Sequence, residues 1–266
     1  MIRFLGAIAQ RWIVFVAALI LWQLATVAAD SLYFPTPWRI AQECRALWFT
    51  AADGRFGLAE TVGEDILPSL GHLLAGWALA AGLGVMIGTA LGRSHTGMQY
   101  VGALFAFLRT LPSPALLPVF IVLFGLTTRM GVALIAFGSI WPILLNTVDG
   151  VRSVDPVKTD TARSFRIPRV QWITMVVLPA ALPKIFAGLR VSLAIAVILM
   201  VISEMVGVTN GIGYQLTYTK SRYEITRMWA WIVLLGIIGY GLNVCLLAVE
   251  RRALRWQPSR TEVSPR

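Results

Sequence analysis

The chain is poor in charge, in cysteine and in histidine. Only 14% of its 266 residues are charged, whereas 57% are hydrophobic, and the mean hydropathy is +0.72. A soluble domain of this length would carry roughly 25% charged and about 45–50% apolar residues, so a single soluble core is excluded. Two cysteines are too few for a disulfide scaffold, and the high hydropathy excludes a disordered chain. A membrane protein with several spanning segments remains.

The chain also lacks the motifs of membrane-bound catalysts. It contains no G-x-x-x-x-G-K-[ST] phosphate loop, no H-E-x-x-H, no C-x-x-C and no G-x-S-x-G. His72 and His95 are too far apart in the sequence for a metal cluster. Cys44 and Cys245 are predicted on opposite sides of the bilayer, so we expect no disulfide between them. We therefore predict a chain that is not an enzyme and that binds no metal and no cofactor of its own.

Long apolar runs predict an all-α membrane protein with about six transmembrane helices, because a barrel would show short alternating stretches instead. The first run also resembles a signal peptide, but we interpret it as a span because the rest of the chain is membrane-embedded. The predicted spans cover residues 12–29, 67–92, 98–126, 131–148, 182–208 and 229–249.

Lysine and arginine predict the orientation of these spans. They are denser in the segments on the side of the N-terminus, which places both termini in the cytoplasm. We predict a tail and first helix over residues 1–29 and a periplasmic segment over 30–66. A transmembrane core follows over 67–249 and contains an inner loop at 149–181. A cytoplasmic tail covers 250–266. The net charge of +10 is then a topology signal, and we expect no nucleic acid as partner.

The periplasmic segment contains a helix signal. Thr36 can cap a helix and Pro37 suits its first position. The apolar residues that follow fall on one face: Ile40, Cys44, Leu47 and Trp48. Two interpretations stay open, namely an amphipathic helix lying on the outer membrane surface and a loop helix packed on the protein.

Small residues recur every fourth position in the second span, at Gly84, Gly88 and Gly92, with Ala80 one turn earlier. Such a ridge lets two helix backbones approach closely in a membrane. We predict that it is a static packing surface, the alternative being a surface on which helices slide.

Polar residues and prolines within the spans are candidates for a translocation path. Pro112 and Ser113 break the third span next to Arg109, which either lines the path or marks a re-entry point near the inner interface. Glu204 follows Ser203 near the outer end of the fifth span, where it either faces a cavity or reaches the headgroups. Asn146 is interpreted primarily as an interhelical hydrogen-bonding residue.

The inner loop is long, basic and only moderately apolar. Asp155-Pro156 predicts the start of one short helix, and Ile167-Pro168 predicts a break followed by a second. Leu178-Pro179 then leads into the fifth span. Two short helices on the cytoplasmic surface predict a docking element for a soluble partner.

This loop resembles the EAA loop of bacterial ABC-importer permeases, whose pattern is E-A-A, three residues, G, nine residues, I-x-L-P. Here Asp160-Thr161-Ala162 is followed at the family spacing by Arg166 and by Val176-x-Leu178-Pro179. The flanking segments are similar to those of permeases for aliphatic sulfonates, taurine and nitrate: FPTP at 34–37, FGSIWPILLNTVDGVRSVDP at 137–156, LPAALPKIFAGLR at 178–190, SEMVG at 203–207 and GIGY at 211–214.

Arg166 stands where the family has glycine. Glycine ends a helix in the left-handed conformation at little cost, whereas arginine there costs about 1 kcal/mol or more. Either the turn avoids that conformation or a partner holds the strain. The other departures are Asp160 for glutamate, Thr161 for alanine and Phe165 for leucine.

The resemblance implies a division of labour between subunits. Two copies of the chain would form the pore, and two separate ATPase subunits would use ATP and Mg. A periplasmic or lipid-anchored binding protein would deliver a small anionic solute at the bacterial inner membrane, with membrane lipid around the pore. The resemblance assigns ATPase coupling to one set of residues: Asp160, Thr161, Ala162, Arg163, Phe165, Arg166 and Pro179. The alternatives are a different solute, such as a vitamin precursor or an aromatic acid, and, outside this family, a channel or a membrane enzyme.

Overall fold

A computed structural model describes residues 2–29, 31–49 and 62–256, without the side chains of residues 2–12 and His95. The end of the predicted cytoplasmic tail and the middle of the predicted periplasmic segment therefore lie outside the described residues. The described residues form helices: α1 Ile2–Ala29, α2 Pro37–Phe49, α3 Leu67–Gly92, α4 His95–Thr110, α5 Leu117–Phe124, α6 Thr128–Arg152, α7 Pro156–Ser164, α8 Arg169–Trp172, α9 Leu178–Gly207, α10 Ile212–Ser221 and α11 Ile225–Ala253.

Four helical segments in the described part of the chain are long and apolar enough to cross a membrane: Val62–Gly92, Thr128–Arg152, Arg169–Gly207 and Ile225–Ala253. A fifth span is formed if the bent pair α4 and α5 is counted as one. At the first predicted span, 12–29, the described segment Ile13–Ala29 is a shorter apolar helix. The all-α membrane fold is therefore confirmed, whereas length and composition alone support four to five of the six predicted spans.

The third predicted span is broken where its prolines indicated. Its two helical parts, Thr96–Thr110 and Ser113–Phe124, meet at an angle of 87°. Pro112 is extended, with φ −63° and ψ 108°, and Ser113–Leu116 forms a single 3₁₀ turn before α5. Proline lacks an amide hydrogen and disfavours helix at the preceding residue, so the chain turns sharply here.

Two other prolines widen a helix instead of breaking it. Val62–Ile66 and Ile173–Val177 are π-helical turns, and each directly precedes a Leu-Pro pair, at Pro68 and at Pro179. Proline cannot donate the hydrogen bond that would close a regular turn. The predicted second short helix of the inner loop is therefore wrong as a separate element, because Arg169–Gly207 is one helical segment.

The chain divides into two compact units, of which the first comprises residues 1–68 and 210–237. In this unit the apolar face of α2 is buried in the protein, with Ile40 3% and Leu47 7% exposed. The Cys44 thiol lies 4.0 Å from the carbonyl oxygen of Ala230, and burial raises the pKa of this thiol. Of the two interpretations of α2, the packed helix is the correct one.

The second unit, residues 69–209 and 238–266, contains the close packing of α3 on α6. The ridge of small residues on α3 faces a ridge on α6, and the partners keep a constant spacing along both helices. A Cβ atom added to Gly88 would lie 2.7 Å from Thr147 Cβ and 2.8 Å from the Leu144 carbonyl oxygen. The contacting pairs are Gly76 with Ile135, Gly84 with Ile143, Gly88 with Thr147 and Gly92 with Val151. The two helices therefore run parallel, and the ridge formed by every fourth residue of α3 packs against the corresponding ridge of α6.

A neighbouring side of α6 packs on α9 in the antiparallel direction. Gly131 faces Ser203, whereas Gly150, near the other end of α6, faces Ala181. Gly188 lies against the backbone of α6, since an added Cβ would be 2.7 Å from the Pro142 carbonyl oxygen. Because glycine has no side chain, these positions allow α6 to contact both α3 and α9 closely.

Replacement of Gly88 by leucine should destabilise the protein. The added side chain must enter space held by Thr147 and by backbone, and overpacking costs about 1–3 kcal/mol. Gly82→Leu is the matched control, because nothing lies within 4 Å of a Cβ at Gly82 on the same helix. Thermal unfolding of the two purified variants measures the difference, and equal melting temperatures would contradict the packing described here.

The orientation remains a prediction that cysteine labelling can test. In a chain without Cys44 and Cys245, Ser221→Cys should react with an impermeant maleimide in whole cells. Ser153→Cys should react only after the membrane is opened. Both serines are exposed, so access to the reagent depends on the side of the membrane. Labelling of position 153 in intact cells would show that the predicted orientation is wrong.

Candidate functional site

The inner loop begins with a well-formed helix start. Asp155 caps α7, and its Oδ1 atom accepts a hydrogen bond of 2.9 Å from the backbone N–H of Val157. Pro156 is the first residue of α7, where its missing amide hydrogen costs nothing. The sequence Asp-Pro therefore fixes where α7 leaves the end of α6.

The end of α7 is a left-handed turn at Arg166, where φ is +52°. The Ile167 amide donates to the Ala162 carbonyl at 3.0 Å, and the Arg166 amide donates to the Arg163 carbonyl at 3.0 Å. This pair of bonds is the Schellman arrangement, which commonly has glycine at the left-handed position. Of the two alternatives for this turn, avoidance of the left-handed conformation is therefore wrong, and backbone hydrogen bonds of the chain itself hold the turn.

Ala162 lies on the inward side of α7. Its side chain is 6% exposed and belongs to a buried apolar cluster with Val151, Trp172, Val177, Ala181 and Ile185. Ala162, which the resemblance assigns to ATPase coupling, therefore packs inside the chain and is not on its exposed surface. This alanine instead joins α7 to the inner ends of α6 and α9.

The outward side of α7 carries exposed apolar side chains. Phe165 is 76% exposed and Val157 is 68% exposed. Thr161 lies between them and is also exposed. Asp160 and Arg163 form an exposed ion pair of 3.4 Å. α7 thus has one side fixed in the core of the chain and one side, including Phe165, open to solvent. Pro179 is half-buried in the first turn of α9.

The candidate path residues do not converge on one site. Ser113, Asn146 and Ser203 border different levels of the α6–α9 packing, next to Gly138, Gly188 and Gly131 respectively. The 15 residues between Gly131 and Asn146 on α6 correspond to about 22 Å along the helix. Arg109 and Pro112 are exposed at the bend. The Asn146 amide donates to the Pro142 carbonyl of its own helix at 2.8 Å, so the predicted interhelical bond is wrong.

Glu204 is buried rather than directed to a cavity or to the headgroups. It is 1% exposed, and its Oε2 atom accepts a hydrogen bond of 2.8 Å from the Ser69 hydroxyl. His72 Nδ1 lies 3.3 Å from Oε1. Both open alternatives for Glu204 are therefore wrong, because the carboxylate joins α9 to α3. Ser69 was not selected from the sequence, since its only signal is that it shares a helix face with His72.

Asp65 is a second buried carboxylate that sequence reasoning missed. It is 3% exposed. Its Oδ1 atom accepts from the Gly211 amide at 2.9 Å and its Oδ2 atom from the Gln215 side chain at 2.8 Å. Gly211 has φ +111°, a conformation that favours glycine. The carboxylate thus supports the start of α10, where the positive end of the helix dipole stabilises it.

Residues 80–255 match the family described as binding-protein-dependent transport system inner membrane component. The chain belongs to this family. SsuC of Bacillus subtilis, a relative named for aliphatic sulfonates transport, is 35% identical over 69% of this chain and 67% of its own length. TauC of Escherichia coli, a taurine transport system permease, is 27% identical over 88% of this chain and 84% of its own length.

Solved transporters share the fold of this family member. The MetNI methionine ABC transporter in inward-facing conformations superposes with a TM-score of 0.62 at 20% identity, over 71% of this chain and 94% of the matched chain. At this identity the likeness concerns the fold alone. The family match and the relatives together confirm the predicted function, which is that of a multi-pass permease subunit of an ABC importer.

The left-handed conformation of Arg166 predicts that replacement by glycine changes the stability of the permease in opposite directions at Arg166 and at Arg163. Arg166→Gly should raise stability by about 0.5–1 kcal/mol, because glycine accepts a positive φ at little cost. Arg163→Gly should lower it by about 1 kcal/mol, because Arg163 lies within α7. Thermal unfolding and hydrogen exchange of the Ile167 amide measure both effects. Equal losses would mean that residue 166 is not left-handed.

Proposed function

We propose that α7 is the element through which this permease binds a separate ATPase subunit. The observation that carries the proposal is the asymmetry of α7, which is fixed in the core through Ala162 and presents Phe165 to solvent. An exposed phenylalanine on a short cytoplasmic helix is an apolar anchor of the kind that carries most of the energy in a small interface. Asp160, Thr161, Arg163 and Arg166 surround it as exposed polar neighbours.

In the proposed assembly two copies of this chain form the pore. Each copy binds one ATPase subunit, which binds and hydrolyses ATP with Mg, and the permease binds neither. Its lack of a phosphate loop agrees with this division. A binding protein delivers the solute on the periplasmic side, and both termini lie in the cytoplasm at the bacterial inner membrane.

The buried cluster around Ala162 supplies the route by which ATPase movement reaches the spans. Trp172 and Ile185 in this cluster belong to the continuous helical segment of α8 and α9, and Val151 belongs to α6. A displacement of α7 therefore pushes on two spanning helices at once, because packed side chains transmit displacement with little compression. This packing also explains why α7 needs a small residue on its inner side.

The proposed solute is a small anion that carries a sulfonate or a similar oxyanion. The support is the naming of the relatives, SsuC for aliphatic sulfonates and TauC for taurine. The permease contributes the pathway, and the binding protein is the subunit that we expect to select among solutes of this class.

The ATPase contact is tested by exchanging the exposed anchor. Phe165→Asp should weaken retention of the ATPase subunit on the purified permease by about 30-fold or more, the loss expected for an interface anchor worth about 2 kcal/mol. Uptake into proteoliposomes supplied with binding protein and ATP should fall with it. The permease itself should remain folded, because Phe165 is 76% exposed.

Ser164→Asp is the matched control for this substitution. It places the same charge on the neighbouring exposed residue and leaves the phenylalanine in position. This variant should keep the ATPase subunit and most of its uptake. Retention of the ATPase by Phe165→Asp at the level of the control would show that α7 is not the docking element.

A further inference from the structure

A basic groove lies where the inner ends of α3 and α6 meet α7. Its volume is about 470 Å³, and its lining includes Gly92, Arg93, Val151, Arg152, Asp160 and Arg163. Three helices contribute these residues, so the groove depends on the fold and not on one stretch of sequence. All of them belong to the second compact unit.

The groove carries an excess of positive charge. Its lining contains three arginines and one carboxylate, that of Asp160. The Asp160–Arg163 pair is 3.4 Å long, with both side chains more than two thirds exposed, and such pairs contribute little. Among the described residues no carboxylate lies within ion-pair distance of Arg93 or Arg152. Arg93 and Arg152 are therefore available to an anion, and Arg163 is held only by its weak pair with Asp160.

The position of the groove relative to the bilayer indicates which class of anion fits it. Gly92 ends one membrane-spanning segment and Arg152 ends another, so the groove lies at the level of the headgroups. The lining also contains the apolar residues Val151 and Val154, and Val151 packs against Gly92, where an added Cβ would lie 2.8 Å from Val151 Cβ. A lining that combines arginines with valines suits a ligand that joins a phosphate to hydrocarbon.

We propose that this groove binds the phosphate of an anionic phospholipid, such as phosphatidylglycerol. Guanidinium groups bind phosphate oxygens through paired hydrogen bonds, and three of them exceed what a zwitterionic headgroup needs. Because Arg163 lies on α7, whereas Arg93 follows α3 and Arg152 ends α6, one bound headgroup bridges α7 to the inner ends of α3 and α6. Asp160 and Arg163 also border the proposed ATPase contact, whereas Arg93 and Arg152 lie outside α7, so the test uses Arg93 and Arg152.

Lipid titration of the full-length permease in detergent tests the proposal. Native mass spectrometry measures retention of phosphatidylglycerol and of phosphatidylcholine. The double variant Arg93→Gln/Arg152→Gln should bind phosphatidylglycerol on the order of 25-fold more weakly, since each arginine near an anionic headgroup contributes about fivefold. Its weak binding of phosphatidylcholine should not change.

The control pair is Arg251→Gln/Arg252→Gln, which removes the same charge from the last turn of α11, outside the lining of the groove. It should keep nearly full phosphatidylglycerol binding. Equal losses in the two pairs would overturn the proposal, because the arginines would then act only through general attraction. Asp160→Asn gives a test of opposite sign, since loss of its carboxylate should tighten binding a few-fold while α7 stays intact.

Two further outcomes would assign the groove to another ligand and overturn the lipid site. One is competition by glycerol 1-phosphate at the same concentration as the lipid, which would indicate a soluble phosphate compound. The other is unchanged phosphatidylglycerol binding by Arg93→Gln/Arg152→Gln together with loss of the ATPase subunit, which would indicate an acidic protein surface. The lipid site is supported if Arg93→Gln/Arg152→Gln loses phosphatidylglycerol selectively and glycerol 1-phosphate does not compete with the lipid.

Discussion

The rest of the second unit depends on the contact between the α3 ridge and α6. In a bilayer two apolar helices gain nothing from leaving water, so they associate through close packing. The glycines of α3 remove the side chains that would hold the helices apart, and the pairs from Gly76–Ile135 to Gly92–Val151 fix their register over most of the membrane. α6 can then present its neighbouring side to α9, which completes a core of three helices.

The inner loop is built directly on the end of this contact. Val151 closes the ridge against Gly92 and is also a member of the buried cluster around Ala162. A single valine thus takes part both in the packing of the spanning helices and in the attachment of α7. The loop is therefore an extension of the core, and only its outward side is left for other molecules.

Local signals in the sequence predicted local structure. The capping residues placed α2, the prolines placed the 87° bend, and the four-residue spacing placed the packing ridge. The surroundings of Ala162, Glu204 and Asp65 could not be predicted, because each depends on a partner far away in the chain. Arg166 is an intermediate case: the family pattern identified the strained position, but only the backbone hydrogen bonds show that the strain is accepted.

The unbroken helical segment from Arg169 to Gly207 has a mechanical consequence. Its 39 residues are longer than a bilayer is thick, and it carries Trp172 near its first residue and Glu204 near its last. These two residues are about 48 Å apart along the axis, so a tilt of about 5° at one end displaces the other by about 4 Å. That displacement exceeds the reach of the Ser69–Glu204 hydrogen bond. The Ser69–Glu204 hydrogen bond therefore holds only while α3 and this segment keep their relative angle.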